Sequence, residues 1–361
     1  MSDGKPRVVV AMSGGVDSSV AAALLVEQGY EVIGMMMRLW SEETAVGNTH
    51  NRCCTPDQMH DARRIADKLG IPFYVLDTQE VFRATIVQFF IEQHRQGVTP
   101  NPCIECNRHI RFSFLQQNAL ALDADYLATG HYARVARAAD GRYLLKKGLD
   151  DHKDQSYVLS VLGQEQLAHA LFPVGEYAKP DVRVIAERFG LPTASKKDSQ
   201  DLCFIGDNNY RRFLTDYAPD VMRPGPMIRA DGTEVGQHNG LVNFTIGQRK
   251  GLGINSAEPM YVIGINAEQN TVVVGTAEEL GRSSLTAKRM NWVAGSPPDV
   301  RFRAEVKIRY KAAPVPAWVE ALPEARMRVT FDAPLRDITP GQGAVVYAGD
   351  EVLGGGIIER D

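Results

Sequence analysis

Arg7-Val-Val-Val-Ala-Met-Ser-Gly-Gly-Val-Asp-Ser-Ser-Val-Ala-Ala-Ala-Leu-Leu-Val-Glu-Gln28 is the stretch that decides the fold. Arg7 to Met12 is a short valine-rich run, of the kind a parallel sheet buries on both faces. Ser18 to Gln28 reads as a helix, ended by Gly29. Between them lies Ser13-Gly14-Gly15-Val16-Asp17-Ser18-Ser19. The glycine pair lets the backbone bend tightly and approach a phosphate with no Cβ in the way. The helix start offers open N–H groups and the positive end of its dipole. Ser13, Ser18 and Ser19 can add hydroxyl donors. The Asp17 carboxylate would repel a phosphate directly, so it is expected to meet one through Mg²⁺. The Gly-Lys-Ser/Thr ending of a Walker A loop is absent, so no lysine of this loop reaches the β- and γ-phosphates.

Outward from this loop the rhythm repeats. Glu31 to Met37, Phe73 to Leu76 and Asp125 to Thr129 read as strands. Pro56 to Leu69, Gln79 to Arg95 and Ile110 to Leu122 read as helices. Such alternation predicts an α/β fold with a doubly wound parallel sheet, whose ligands bind beyond the carboxyl ends of the strands. From about Pro219 the pattern becomes short alternating runs broken by Asp231-Gly232 and Asn239-Gly240. Arg303 to Tyr310, Met327 to Phe331 and Ala344 to Tyr347 are strand-like. The expected organisation is a catalytic domain over 1–218, a small β-rich central domain over 219–284 and a C-terminal antiparallel β-barrel over 285–361.

The 361 residues are 44% hydrophobic and 23% charged, enough to bury real cores without disulfides. No apolar run reaches the roughly 18 residues a membrane span needs. Met1 to Arg7 lacks the apolar core of a signal peptide, so a cytoplasmic location is expected. A net charge of −4 does not advertise nucleic-acid binding, although basic residues gathered on one face would permit it. Lys196-Lys197, Arg211-Arg212 and Arg249-Lys250 are candidates for such a face. Five cysteines in such a chain suggest catalytic, redox or metal roles. Cys53 and Cys54 are adjacent, which suits chelation of one metal poorly, and read as structural or incidental thiols.

The glycine-rich heptad resembles the PP-loop of enzymes that split ATP between its α- and β-phosphates. Later segments narrow the likeness. Thr99-Pro-Asn-Pro-Cys-Ile-Glu-Cys-Asn107, Ala128-Thr-Gly-His-Tyr132, Lys153-Asp-Gln-Ser-Tyr157, Lys197-Asp-Ser-Gln-Asp-Leu-Cys-Phe-Ile-Gly206, Thr245-Ile-Gly-Gln-Arg-Lys-Gly-Leu-Gly253, Thr339-Pro-Gly-Gln342 and Leu353-Gly-Gly-Gly356 follow in order. From Val8 to about Ile358 the chain resembles the bacterial tRNA-specific 2-thiouridylase family. That resemblance implies adenylation of O2 of a wobble uridine, in the tRNAs for Lys, Glu and Gln. A protein-bound persulfide, loaded by a sulfur-donor protein, then delivers sulfur to C2. AMP is a far better leaving group than a ring carbonyl oxygen, and the base must leave its stack to be reached.

By the same resemblance, Ala11, Met12, Ser13, Gly14, Gly15, Val16, Asp17, Ser18, Met37 and Gly130 match ATP-contacting positions. Asn101, Pro102 and Cys103 match the loop at the target base. Lys153, Asp154, Gln155, Arg309 and Tyr310 match tRNA contacts, the last two on the barrel; His131 and Gln342 stand beside the RNA. Cys106 matches the nucleophile and Cys203 the persulfide carrier. Each has a plainer reading. His131 could cap backbone groups, Lys153 and Arg309 could be solvated charges, Tyr310 and Met37 could be core, and Gln342 could be a turn residue.

The family commonly carries Asp-x-x-Cys where this chain has Cys103-Ile104-Glu105-Cys106. Three readings of Cys103, Cys106 and Cys203 compete. In a relay, Cys106 resolves the Cys203 persulfide and a disulfide remains, which needs an accessible thiolate. It also needs Cα atoms within about 7 Å, so 103–106 is expected to be a mobile loop that swings against Cys203. In a [4Fe–4S] cluster the three thiolates are ligands. A zinc site would need a fourth ligand. The alternative function is a PP-loop ligase or amidotransferase acting on a small molecule.

Overall fold

The computed structural model describes residues 4–42, 56–196 and 202–360. Cys53, Cys54 and the Lys197–Asp201 part of one motif lie outside them. Strands β1 (Arg7–Ala11), β2 (Glu31–Arg38), β3 (Phe73–Asp77) and β4 (Tyr126–Ala128) form a parallel sheet, with Ala170–Leu171 as a fifth strand. The order is β3-β2-β1-β4 and then 170–171, with β1 in the middle. Val8, Val9 and Val10 are fully buried, as the valine run requires; each contributes on the order of 2 kcal/mol. Helix α1 (Val16–Glu27) covers one face and packs Val20 and Leu24 with Val182 and Ala186 of the helix Lys179–Arg188. Helix α2 (Pro56–Leu69) adds Ala62 and Ile65 to the same core. Gln79–Arg95 is one helix with a wide turn at Arg83–Val87.

The next helix differs from expectation. It begins at Pro102, not Ile110, and runs through a wide stretch at Asn107–Leu115, irregular at Phe112, to Leu120. Asn101 caps it, its Oδ1 accepting from the amides of Cys103 (3.2 Å) and Ile104 (3.3 Å), and Pro102 stands at its first position. Cys103 and Cys106 therefore sit on a helical turn rather than on a loop.

The central sheet runs Tyr261–Asn266, Thr271–Gly275, Gly225–Arg229, Glu234–His238 around a small core of Met227, Phe244, Val262, Val272 and Val274. Six antiparallel strands then close a barrel: Arg282–Trp292, Arg326–Leu335, Val315–Leu322, Arg301–Lys307, Gly343–Ala348 and Glu351–Ile358, the last returning to the first. A hairpin of the first domain, Ala133–Arg137 with Tyr143–Lys147, joins this sheet by pairing Leu145 with Val352 and Lys146 with Glu351. Among the described residues no helix is long and apolar enough to cross a membrane.

Candidate nucleotide and thiol site

The glycine loop leaves β1 and turns into α1 beyond the carboxyl end of the sheet. Gly14 has φ +68°, and a Cβ there would stand 2.4 Å from the Gln58 carbonyl oxygen. Gly15 caps α1 with no side chain closing the first amides. The serines brace the loop. Ser18 Oγ accepts from the Ser13 amide at 3.2 Å, and Ser19 Oγ donates to the Gly15 carbonyl at 2.7 Å. Gly130 presses against this head: a Cβ on it would meet Ser18 N at 2.7 Å and Asp17 C at 2.8 Å. Ala11, Met12 and Val16 line the buried side of the loop, and Met37 is half-buried at the end of β2.

Asp17 is already engaged. Lys179 Nζ donates to its Oδ1 (2.7 Å) and Oδ2 (2.9 Å), and Tyr132 Oη donates to Oδ1 at 2.7 Å. A second lysine, Lys196, bonds the Gly14 carbonyl and Asp61 Oδ2, both at 3.0 Å. Among the described residues no three His, Cys, Asp or Glu side chains gather as a metal site. One carboxylate at a phosphate-sized cradle fits Mg²⁺ shared with a nucleotide, because Mg²⁺ is held by one or two carboxylates plus phosphates. Among the described residues Cys103, Cys106 and Cys203 do not gather as such a ligand group.

Cys106 is buried in an apolar cluster with Phe82, Phe90, Ile110, Phe204 and Phe213, and half-buried Cys203 packs on the same cluster. Arg111 Nη1 donates to Cys106 Sγ at 3.4 Å. Cys103 is exposed on the same turn. His131 follows Gly130 and bonds Thr129 Oγ1 through Nδ1 at 2.7 Å. Burial pushes its pKa down to about 3, and the Arg111 charge adds to that, so the ring is neutral. Arg111 thus stands between the nucleotide side and the sulfur side.

Barrel and catalytic domain meet at the cysteine helix. Gln342 Nε2 donates to the carbonyls of Thr99 (2.9 Å) and Pro100 (3.3 Å), and so holds the segment that carries Asn101. Tyr157 Oη donates to the Gly343 carbonyl, accepts from its amide and bonds Asn101. Tyr310 is 37% exposed with its ring edge-on to Tyr157. Burial pushes its hydroxyl pKa up, and neighbouring Asp154 and Cys103 add to the rise. Asn101, Cys103, Tyr310 and Gln342 are therefore brought together. Arg309 is turned inward, donating to the Ile246 carbonyl and to Thr339 Oγ1, and burial lowers its pKa. Asp154 is buried and accepts from the amides of Gly148 and Ser156 and from Ser156 Oγ. It shapes the 148–156 loop. Gln155 Oε1 takes the Tyr132 amide at 3.0 Å, and half-buried Lys153 lies on the outer side of that loop.

The sequence reading missed Lys179, Tyr132 and Arg111, and read Lys196 only as part of a candidate RNA face. Tyr132 was in plain view inside the Ala128–Tyr132 motif. Lys179 comes from a helix 162 residues from Asp17, and no local pattern marks it.

Residues 6–207 match the family described as tRNA methyl transferase HUP domain. Residues 211–276 match its PRC-barrel domain and 282–358 the aminomethyltransferase beta-barrel domain. The tRNA-specific 2-thiouridylase of Symbiobacterium thermophilum is 50% identical over 361 residues, covering 98% of this chain and 92% of that one. The enzyme of the same name from Carboxydothermus hydrogenoformans is 48% identical over 359 residues, covering 99% and 98%. A solved U34-tRNA thiolase from Methanococcus maripaludis is 20% identical with a TM-score of 0.35, covering 59% of this chain and 67% of that one. The chain belongs to the family of the tRNA-specific 2-thiouridylases.

Proposed function

We propose that this chain uses ATP to adenylate O2 of the wobble uridine in tRNAs for Lys, Glu and Gln, and replaces that oxygen with sulfur. The observation that carries the reading is the meeting of Cys106 and Cys203 on one apolar cluster, with Arg111 donating to Cys106. A small-molecule ligase would have no use for paired thiols.

The cradle at the head of α1 binds the phosphates, and Gly130 lets the nucleotide side of the sheet close on it. Mg²⁺, when bound at Asp17, offsets phosphate charge. Asn101, Tyr310 and Gln342 line the entry of the flipped base, and Lys153 meets the RNA backbone. In the sulfur step, the terminal sulfur of a Cys203 persulfide attacks C2 of the adenylated uridine. The C2–O2 bond breaks and AMP leaves with the electron pair. Cys106 thiolate then attacks Cys203 Sγ and expels 2-thiouridine as its thiolate. A Cys106–Cys203 disulfide remains, for a dithiol reductant to reopen. The sulfur donor is a persulfide-bearing protein, and the setting is the cytoplasm. Because Cys106 stands on a capped helix, any approach the disulfide needs falls to the Cys203 side.

Cys106→Ser and Cys203→Ser are expected to abolish 2-thiouridine, measured by nucleoside mass spectrometry, while one tRNA-dependent round of adenylation still releases pyrophosphate. ADP as the main product, or methylated rather than thiolated uridine, would overturn the proposal. Thiolation surviving in either cysteine variant would remove the relay. Cys103→Asp should keep substantial activity, because Cys103 is outside the relay.

A further inference from the structure

Lys179 has no part in the chemistry above, yet it occupies the phosphate end of the site. Its side chain is only 10% exposed, and its Nζ holds both oxygens of Asp17. The same Nζ lies 5.7 Å from the centre of the Tyr132 ring, whose hydroxyl donates to Asp17. Stripping water from an ammonium is costly, and one half-buried aspartate does not need so dry a partner. The glycine loop has no lysine of its own, although phosphoryl chemistry at such loops calls for a cation beside the leaving phosphates. Lys196 is the other lysine at the loop. It is engaged with the Gly14 carbonyl and Asp61, so it braces the backbone.

Lys179 is also tethered. Its backbone amide donates to Asp150 Oδ2 at 2.9 Å, at the head of its helix. Tyr132 is fixed at both backbone groups by Gln155: its amide donates to Gln155 Oε1, and its carbonyl accepts from the Gln155 amide at 2.8 Å. Both donors to Asp17 thus hang from the 150–155 loop, which carries Lys153.

We propose that Lys179 is the phosphate-binding lysine of this nucleotide site, held on Asp17 until nucleotide arrives, and that the 150–155 loop sets its position. The proposal rests on the nucleotide reading given above. When a metal ion takes the Asp17 carboxylate, the ammonium is released toward the nearest anion, which is the phosphate chain. No covalent step is involved. RNA seated on the 150–155 loop would then act on ATP through Asp150 and Gln155.

The test is equilibrium binding of ATP to the full chain in EDTA, where Asp17 can only compete for Lys179. Lys179→Met should weaken binding at least about tenfold. Lys179→Arg should stay within about threefold of the parent, because it keeps the charge. Asp17→Asn should bind metal-free ATP as tightly as the parent or more tightly, while losing turnover with Mg²⁺. The double variant Asp17→Asn/Lys179→Met should bind at least about tenfold more weakly than Asp17→Asn. It also covers the case in which the single lysine variant fails to fold, since asparagine needs no counter-ion. Equal binding by the double variant and Asp17→Asn would overturn the assignment and leave Lys179 as a counter-ion only. A parent that binds no ATP would instead overturn the nucleotide reading itself. For the tether, Asp150→Ala should raise KM for ATP in tRNA-dependent AMP release, with kcat within about twofold. An unchanged KM removes the loop from the proposal.

Discussion

Helix α1 starts at Gly15 with no side chain over its first amides, whereas the helix from Pro102 starts under Asn101, whose Oδ1 takes two of them. The two starts serve opposite ends. An open head is incomplete, and an anion completes it. A capped head is finished by its own chain, so it has nothing to offer a phosphate and serves as a rigid mount. In the proposed function the nucleotide is held at the first and the reactive sulfur of Cys106 at the second. The barrel reinforces the mount, because Gln342 grips the carbonyls just before the cap.

The sharpest way to break the open head is Gly130→Ala. The new methyl group would press on the backbone of Asp17 and Ser18, which cannot move without displacing α1. ATP affinity should fall by about tenfold or more in a calorimetric titration, with the labelling rate of Cys106 unchanged. Parent-like ATP binding would show that the head tolerates displacement and does not recognise phosphate. A smaller effect is expected from Asn101→Ala at the capped head. It should cost about 1 kcal/mol of stability, slow thiolation, and leave ATP binding alone. Impaired ATP binding in that variant would mean the two heads are not separate devices.

The smallest effect concerns His131, which lies between them. Its pKa falls from 6.5 to about 3, so the folded state lacks a proton that the unfolded chain takes up between those values. Stability is then unaffected by His131 above about pH 6.5 and declines as pH falls below it. Buried His94, lowered to about 4, works in the same direction. His94→Gln should flatten the acid limb of a pH–stability curve, and the thiolation rate should show no His131 titration near neutrality. A rate step near pH 6.5 lost in His131→Asn would make the ring an acid or base and join the two heads chemically.

Legibility followed distance along the chain. The loop at Ser13–Ser19 was readable because strand, glycines and helix are consecutive. The Asn101 cap was also local, since Asn-Pro ahead of a helical run is a start signal. The same residue also falls in the motif matched to the target base, which masks its capping role. Asp154 shows the same oversight: an Asp two residues before Ser156 commonly folds back on its own backbone, and here it does. The grip of Lys179 on Asp17 and the inward turn of Arg309 join elements with no shared periodicity. Nothing in the linear pattern carries them.

The hairpin that joins the barrel fixes an order of events during synthesis. The strand of the hairpin that meets the barrel is complete at Lys147, yet its partners Glu351 and Val352 follow more than 200 residues later. Arg134 likewise waits for Asp350, 216 residues on. Until then the nascent chain carries an unpaired strand edge, the kind of surface that invites pairing with the wrong neighbour. Completion of this edge therefore depends on the strand Glu351–Ile358, so a chain that stops before Glu351 would leave the hairpin of the first domain unpaired.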